Sequence, residues 1–148
     1  PGIRFQQEDI TSKPLQGIYD VVIVSEVLEH IPLEKVGAFV KGLKNMLAPE
    51  GSLLITVPHE NVALDKKHYQ HFTEEKIRYL FEPELHLQET VHFDKSTLAK
   101  SMIKRLLWNR LFSLTHPGLV HFLYRMYENT SFYANETNAR RIYARFTK

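Results

Sequence analysis

The stretch YDVVIVSEVLEHIP, residues 19–32, constrains the fold more than any other part of this chain. Val21, Val22, Ile23 and Val24 form an unbroken β-branched run. A run of this kind predicts a central parallel strand covered by helices on both faces, because a half-solvated strand would alternate polar and apolar residues. The period then changes. Glu26, Glu29 and His30 crowd into the next turn, and Pro32 suits the first turn of a helix, where its missing N–H costs nothing. Val36, Phe39, Val40, Leu43, Met46 and Leu47 follow at three- and four-residue steps, the signature of one apolar helix face. APEG (48–51) closes that helix, and SLLITVP (52–58) is a second apolar strand stopped by Pro58. Two parallel strands require a crossover, so residues 19–58 are expected to form a right-handed β–α–β unit.

The flanking segments are placed around this unit. GIRFQQEDI (2–10) alternates Ile3 and Phe5 as a short strand would, and TSKPLQG (11–17) is a loop. HENVALDKKHYQHF (59–72) is polar and reads as a second loop, after which Thr73 has the chemistry of a helix N-cap with Glu74 and Glu75 in the first turn. HLQETVHFD is a strand candidate. From Ser96 the chain turns helical, with Leu98, Met102, Leu106 and either Leu111 or Phe112 on one stripe expected to pack on the sheet. HPG (116–118) breaks the helix, LVHFLYRMY forms another, and ARRIYARFTK supplies a final strand. The 148 residues suffice for one domain with a real core. The expected organisation is a single α/β domain: residues 1–94 as its core, 95–130 as a basic helical cap or insertion, and 140–148 as the last strand.

Charge divides along the same line. Residues 1–94 carry nine Lys/Arg against fifteen Asp/Glu, a balance of −6, whereas residues 95–148 carry ten against two, a balance of +8. Such asymmetry suits either a basic cover on an acidic body or a surface for an anionic partner. Lys100, Lys104, Arg105 and Arg110, with Trp108 beside the apolar stripe, are compatible with a membrane surface or nucleic acid, although packing with solvated basic stems is the commoner arrangement. The absence of cysteine excludes disulfide frameworks, thiolate metal sites and cysteine nucleophiles. No apolar run approaches the ~18–20 residues needed to span a bilayer, and the first residues lack the order of a signal peptide. A soluble, cytoplasmic protein is the expectation.

Ligands of open α/β sheets bind beyond the carboxyl ends of the strands. That rule directs attention to Asp9, to Ser25 through His30, and to Pro58 through His71. Glu26, Glu29 and His30 stand at i, i+3 and i+4, so a helical turn would present two carboxylates and an imidazole on one face. This donor set suits Mg²⁺, Mn²⁺ or Zn²⁺ without choosing among them. The same acids would also favour a helix start, and without an ion His30 or His68 could act as general base.

QQEDI, YDVVIVSEVLEHIP, LKNMLAPEGSLLITVP and HYQHFTEEKIRYLF, in that order over residues 3–81, resemble successive motifs of the Rossmann-like S-adenosylmethionine-dependent methyltransferases. The resemblance implies an incomplete methyltransferase sheet, from its third strand onward, with a helical insertion before the last strand. It implies that Asp9 accepts a hydrogen bond from the adenine amino group of S-adenosyl-L-methionine and that Ile10 lies against the adenine. Ser25 and Glu26 would line the methionine portion, with Val27 near the adenosyl group. The Glu-x-x-Glu-His pattern is similar to that of small-RNA 3′-end methyltransferases and of some ubiquinone-pathway O-methyltransferases. A metal set of Glu26, Glu29, His30 and His68 follows from that likeness, with His71 as the alternative fourth ligand.

The implied activity is methyl transfer to an oxygen or nitrogen of a small-molecule or sugar-like acceptor. RNA as acceptor, a non-catalytic interaction module and a homodimer remain open. The family pattern begins with a strand and a Gly-rich turn, and none of the six glycines here forms a G-x-G arrangement. The resemblance therefore implies a longer protein or a partner chain that supplies this part, and weak cofactor binding by residues 1–148 alone.

Overall fold

The computed structural model describes residues 2–12, 17–107 and 115–148. A four-stranded sheet organises them in the order β1-β2-β4-β3: β1 is Tyr19–Ser25, β2 Leu47–Pro58, β3 His86–Phe93 and β4 Arg141–Thr147. β1 and β2 are parallel, joined through helix α1 (Val36–Met46), as the apolar pattern predicts. β4 returns antiparallel between β2 and β3, pairing Leu53 with Phe146 on one side and Leu87 with Phe146 on the other. Helix α2 (Glu74–Phe81) precedes β3, and α3 (Leu98–Leu107) and α4 (Pro117–Tyr127) lie between β3 and β4.

Because strand side chains alternate between faces, one face of the sheet presents Val22, Val24, Leu53, Ile55, Val57, Ile142, Ala144 and Phe146, all buried. The apolar stripes of α1 and α2 cover that face, and Phe81 stacks on Phe146 with ring centroids 4.8 Å apart. Each fully buried Leu, Ile or Phe here contributes about 1.5–3 kcal/mol by leaving water. α2 starts as its sequence predicts, with Thr73 accepting a hydrogen bond from the Lys76 N–H at 3.2 Å. His116 caps α4 in the same manner, and Pro117 occupies its first turn.

Several expectations are corrected. β1 is covered on one face only among the described residues: Tyr19, Val21 and Ile23 are 41, 53 and 69% exposed on the other. Residues 2–9 form no strand, and Ile3 and Phe5 are exposed, since alternation alone does not make a strand without a neighbouring ladder to satisfy its backbone. APEG is not a loop. β2 begins at Leu47 and bulges there, with the register jumping from Tyr19↔Leu47 to Val21↔Ser52. Glu50 takes φ 64° at the bulge, and Gly51 follows it because a Cβ there would stand 2.9 Å from the Ala48 carbonyl oxygen.

The stripe of α3 is also turned. Leu98 and Met102 are 87 and 64% exposed, and Leu106 is exposed as well, so the buried contact of this helix is Ile103 instead. Leu111 and Phe112, the proposed end of that stripe, lie outside the described residues, as do Trp108 and Arg110. No described helix is long and apolar enough to cross a membrane.

Candidate functional site

The sheet geometry brings four chain segments to one end. β1 and β2 finish there, β3 finishes there, and antiparallel β4 begins there, with Arg141 paired to Pro58 on one side and Phe93 on the other. A cavity of about 630 Å³ opens at this end, lined by Glu26, His68, His71, Asp94, Arg140 and Arg141 among others.

Arg141 is its electrostatic centre. Its Nε donates to Glu26 Oε2 at 3.0 Å and its Nη1 to Asp94 Oδ2 at 3.2 Å. The two acids reach it by the same device, because each is the first residue after a strand and each has a left-handed backbone, φ 53° for Glu26 and φ 65° for Asp94. For a non-glycine residue that conformation costs about 1–2 kcal/mol, here offset by the ion pairs it aims. Asp94 is 5% exposed. Its Oδ1 accepts from Tyr127 Oη at 3.0 Å and from Lys100 Nζ. Burial opposes its ionisation, but the hydrogen bonds from Lys100 and Tyr127 and the charges of Lys100 and Arg141 outweigh it and hold the carboxyl below the ordinary value of 3.8. Conversely, burial first and the bond to Asp94 second push the Tyr127 phenol up to about 12.

Beside the cavity stands a second cluster. The turn after β1 is a 3₁₀ segment, Leu28–His30, in place of the α-helical turn that the i, i+3, i+4 spacing predicts. With Glu26 left-handed and turned to Arg141, the predicted quartet is split. Glu29, His30 and His68 each bring one ligand atom within 4.8 Å of the others, while Glu26 is engaged elsewhere. The Tyr69 N–H bonds to the Glu29 carbonyl at 2.8 Å and fastens the 59–72 loop to this turn. Glu29 is 1% exposed, and its buried Oε2 has no hydrogen-bond partner among the described residues.

The hydrogen bonds of the imidazoles fix where their protons sit. His30 Nδ1 lies 3.0 Å from the Lys67 carbonyl oxygen, which can only accept, so Nδ1 carries a proton and a neutral ring keeps its lone pair at Nε2. That Nε2 is 3.7 Å from Glu29 Oε1. His71 Nδ1 likewise donates to the Val62 carbonyl at 2.9 Å. Its Nε2 then accepts from His68 Nδ1 at 2.8 Å, leaving the lone pair of a neutral His68 on Nε2. Lone pairs and a buried carboxylate thus gather without a donor among them, an arrangement that a cation would satisfy.

The remaining predicted residues lie off the cavity lining. Asp9 Oδ1 accepts from Thr11 Oγ1 at 2.7 Å and from the Thr11 N–H at 2.9 Å, and these bonds hold its carboxyl below the usual range. Ile10 packs against the core, with its carbonyl oxygen directly over Gly42 of α1. Ser25 Oγ is 2.8 Å from Thr56 Oγ1 on the open sheet face, and Val27 is partly exposed. Sequence reasoning brought Glu26 and His68 to the cavity and missed Arg141, Asp94 and Tyr127. Their only trace in the sequence is an acid and an arginine at the ends of two apolar runs.

A family model described as a methyltransferase domain matches residues 2–106. No curated protein matches the chain. Among solved structures, the N-methyltransferase NodS from Bradyrhizobium japonicum WM9, in complex with S-adenosyl-L-homocysteine, is similar with a TM-score of 0.59 at 15% identity, over 95% of this chain and 52% of that one. A SAM-dependent methyltransferase from Archaeoglobus fulgidus has a TM-score of 0.59 at 12% identity, over 97% and 66%. StiE O-MT has a TM-score of 0.54 at 17% identity, over 97% and 48%. The chain thus spans about half to two thirds of the length of these structures, and at such identities the likeness is one of fold.

Proposed function

Because this chain belongs to the methyltransferase-domain family, we propose that it takes part in methyl transfer from S-adenosyl-L-methionine to an oxygen or nitrogen of a small-molecule acceptor. The observation that carries this reading is the cavity at the strand ends, where Glu26, His68 and Arg141 stand together. When bound, S-adenosylmethionine supplies an electrophilic sulfonium methyl. Asp9 and Ile10 would hold the adenine, with Ser25, Glu26 and Val27 along the rest of the cofactor. The cavity walls orient the acceptor and exclude water, which is the main work of such a site. His68 Nε2 takes the proton of the acceptor, and the hydrogen bonds through His71 to the Val62 carbonyl aim the ring and place the lone pair of its neutral form on that nitrogen.

Gly42 provides a direct test. A Cβ at this position would meet the Ile10 carbonyl oxygen at 2.7 Å, so Gly42→Ala is expected to push the 9–12 segment off α1. S-adenosyl-L-homocysteine binding, measured by calorimetry, should weaken about tenfold or more, while the melting temperature moves by only a few degrees. Equal affinity in the two proteins would remove Asp9 and Ile10 from the cofactor site. Failure of the unaltered protein to bind at all, with or without other chains of the complete enzyme, would remove the methyl-transfer reading.

A divalent ion is the second element of this reading, suggested by the buried, unpartnered Oε2 of Glu29 beside His30 and His68. Bound there, it would supply Lewis acidity toward an acceptor hydroxyl. The set is three residues, without Glu26. Mn²⁺ or Zn²⁺ at about 100 times its dissociation constant should add about 2.7 kcal/mol to unfolding stability, and Glu29→Gln should abolish that increment. An unchanged increment in Glu29→Gln would place the ion elsewhere.

A further inference from the structure

The polar cavity has an apolar neighbour. A second cavity of about 410 Å³ lies between α3 and α4, lined by Ile103, Leu107, Val120, Leu123, Tyr124 and Tyr127 together with Lys100 and Lys104. The same two lysines line the polar cavity. Tyr127 belongs to the partition as well, since its ring faces the apolar side while its hydroxyl bonds to Asp94 on the polar side. Lysines at the junction of an oily groove and a wet one put positive charge where an amphiphile would carry its head group. Asp94 is shared between Lys100 and Arg141, and Arg141 also meets Glu26. The polar cavity is lined by four cations, Lys100, Lys104, Arg140 and Arg141, against three acids, Glu26, Asp65 and Asp94, so its balance stays positive.

We infer that helices α3 and α4 select an amphiphilic anion as the methyl acceptor: a single aliphatic chain lying between the two helices, with a carboxylate or phosphate head at Lys100 and Lys104. The outward turn of Leu98 and Met102 fits this arrangement, for it leaves Ile103 and Leu107 facing α4, and these form the groove floor in place of a contact with the sheet. The inference rests on the methyl-transfer reading only in naming the ligand an acceptor. Binding of the amphiphile is a separate property, measurable without cofactor.

The probes are laurate and dodecyl phosphate below their micellar concentrations, with dodecyltrimethylammonium and acetate as charge and tail controls, titrated calorimetrically into the full chain. One saturable site is expected for at least one anionic probe, the better of the two identifying the head group. The controls should bind at least tenfold more weakly. Val120→Glu, which places a negative charge in the groove, and Lys104→Glu should each weaken the anionic probe at least tenfold. Ile23→Glu, on the open face of the sheet, should leave it unchanged. Val120→Trp, which fills the groove without adding charge, separates occlusion from misfolding and should also weaken binding. Equal binding of the cationic amphiphile, indifference to both Val120 substitutions, or adsorption to anionic vesicles without saturable binding of the monomer would each overturn the inference. Loss of S-adenosyl-L-homocysteine binding with amphiphile binding intact would overturn the methyl-transfer reading and leave the groove assignment standing.

Discussion

Asp94→Ala is expected to destabilise the protein by about 3–5 kcal/mol at neutral pH, the usual cost of removing one partner from a buried charge cluster. The carboxylate receives Lys100, Tyr127 and Arg141, and its side chain is 7% exposed. Removing it leaves the Lys100 ammonium and the Tyr127 phenol without their acceptor and Arg141 with Glu26 alone. Alanine also sits poorly at φ 65°. Asp94→Asn separates the two causes: asparagine tolerates that backbone and still offers one acceptor oxygen, so a loss of about 1–2 kcal/mol is expected. Urea unfolding at several pH values adds a sign. The folded-state pKa of Asp94 is lowered, so its contribution is complete above 3.8 and disappears as pH falls through the folded value. That of Tyr127 is raised to about 12, so its contribution is complete below 10.0 and disappears as pH rises toward 12. The advantage of the unaltered protein over Asp94→Ala should therefore be flat across neutral pH and shrink at both extremes. An advantage that grew on acidification would contradict the charge assignment.

His68→Ala is expected to lower methyl transfer by about 10²–10⁴-fold, the usual span for losing a positioned general base. Release of S-adenosyl-L-homocysteine in the presence of acceptor is the readout. Loss of an ion ligand would give a fall of similar size, so the two roles are parted by chelation. If His68 is a base alone, a chelator leaves the unaltered protein active and Glu29→Gln is nearly silent. If it holds an ion with Glu29 and His30, chelation and Glu29→Gln reproduce the His68→Ala loss, and added Mn²⁺ or Zn²⁺ restores only the chelated protein. His71→Ala should fall between, because it touches His68 Nδ1 and acts by orienting the ring. Full activity in His68→Ala would dismiss both roles.

Both substitutions fall on residues that differ in how visible they are before folding. His68 is one of several histidines in a polar loop following an apolar strand, and the rule that ligands gather at strand ends singles out that loop. Asp94 carries only a faint flag, as the acid that ends the strand candidate HLQETVHFD. It matters because β4 runs antiparallel and delivers Arg141 to the end where the other three strands finish. A one-dimensional pattern specifies which residues are apolar and at what period, but not the direction of a strand that pairs with neighbours from distant parts of the chain. The Glu-x-x-Glu-His spacing assembled only part of its set for a related reason. Its helical reading assumes that residues 26–30 share one backbone conformation, and Glu26 is instead drawn into a left-handed turn by a partner 115 residues away.

Taken alone, the order of apolar periods determined the β–α–β unit, the capped start of α2, the strand β3 and the last strand, since burial of one face is a local property of side-chain spacing. It also pointed to the strand ends, where Glu26 and the 59–72 loop border the cavity. Only the tertiary structure decided that Glu26 serves Arg141 while Glu29 joins His30 and His68, and that α3 shows the stripe of Leu98 and Met102 to solvent and keeps Ile103 for α4. The reason is physical. Each of these outcomes is a choice between partners of comparable local merit, and the choice is made by charges and surfaces that meet only when the sheet has formed.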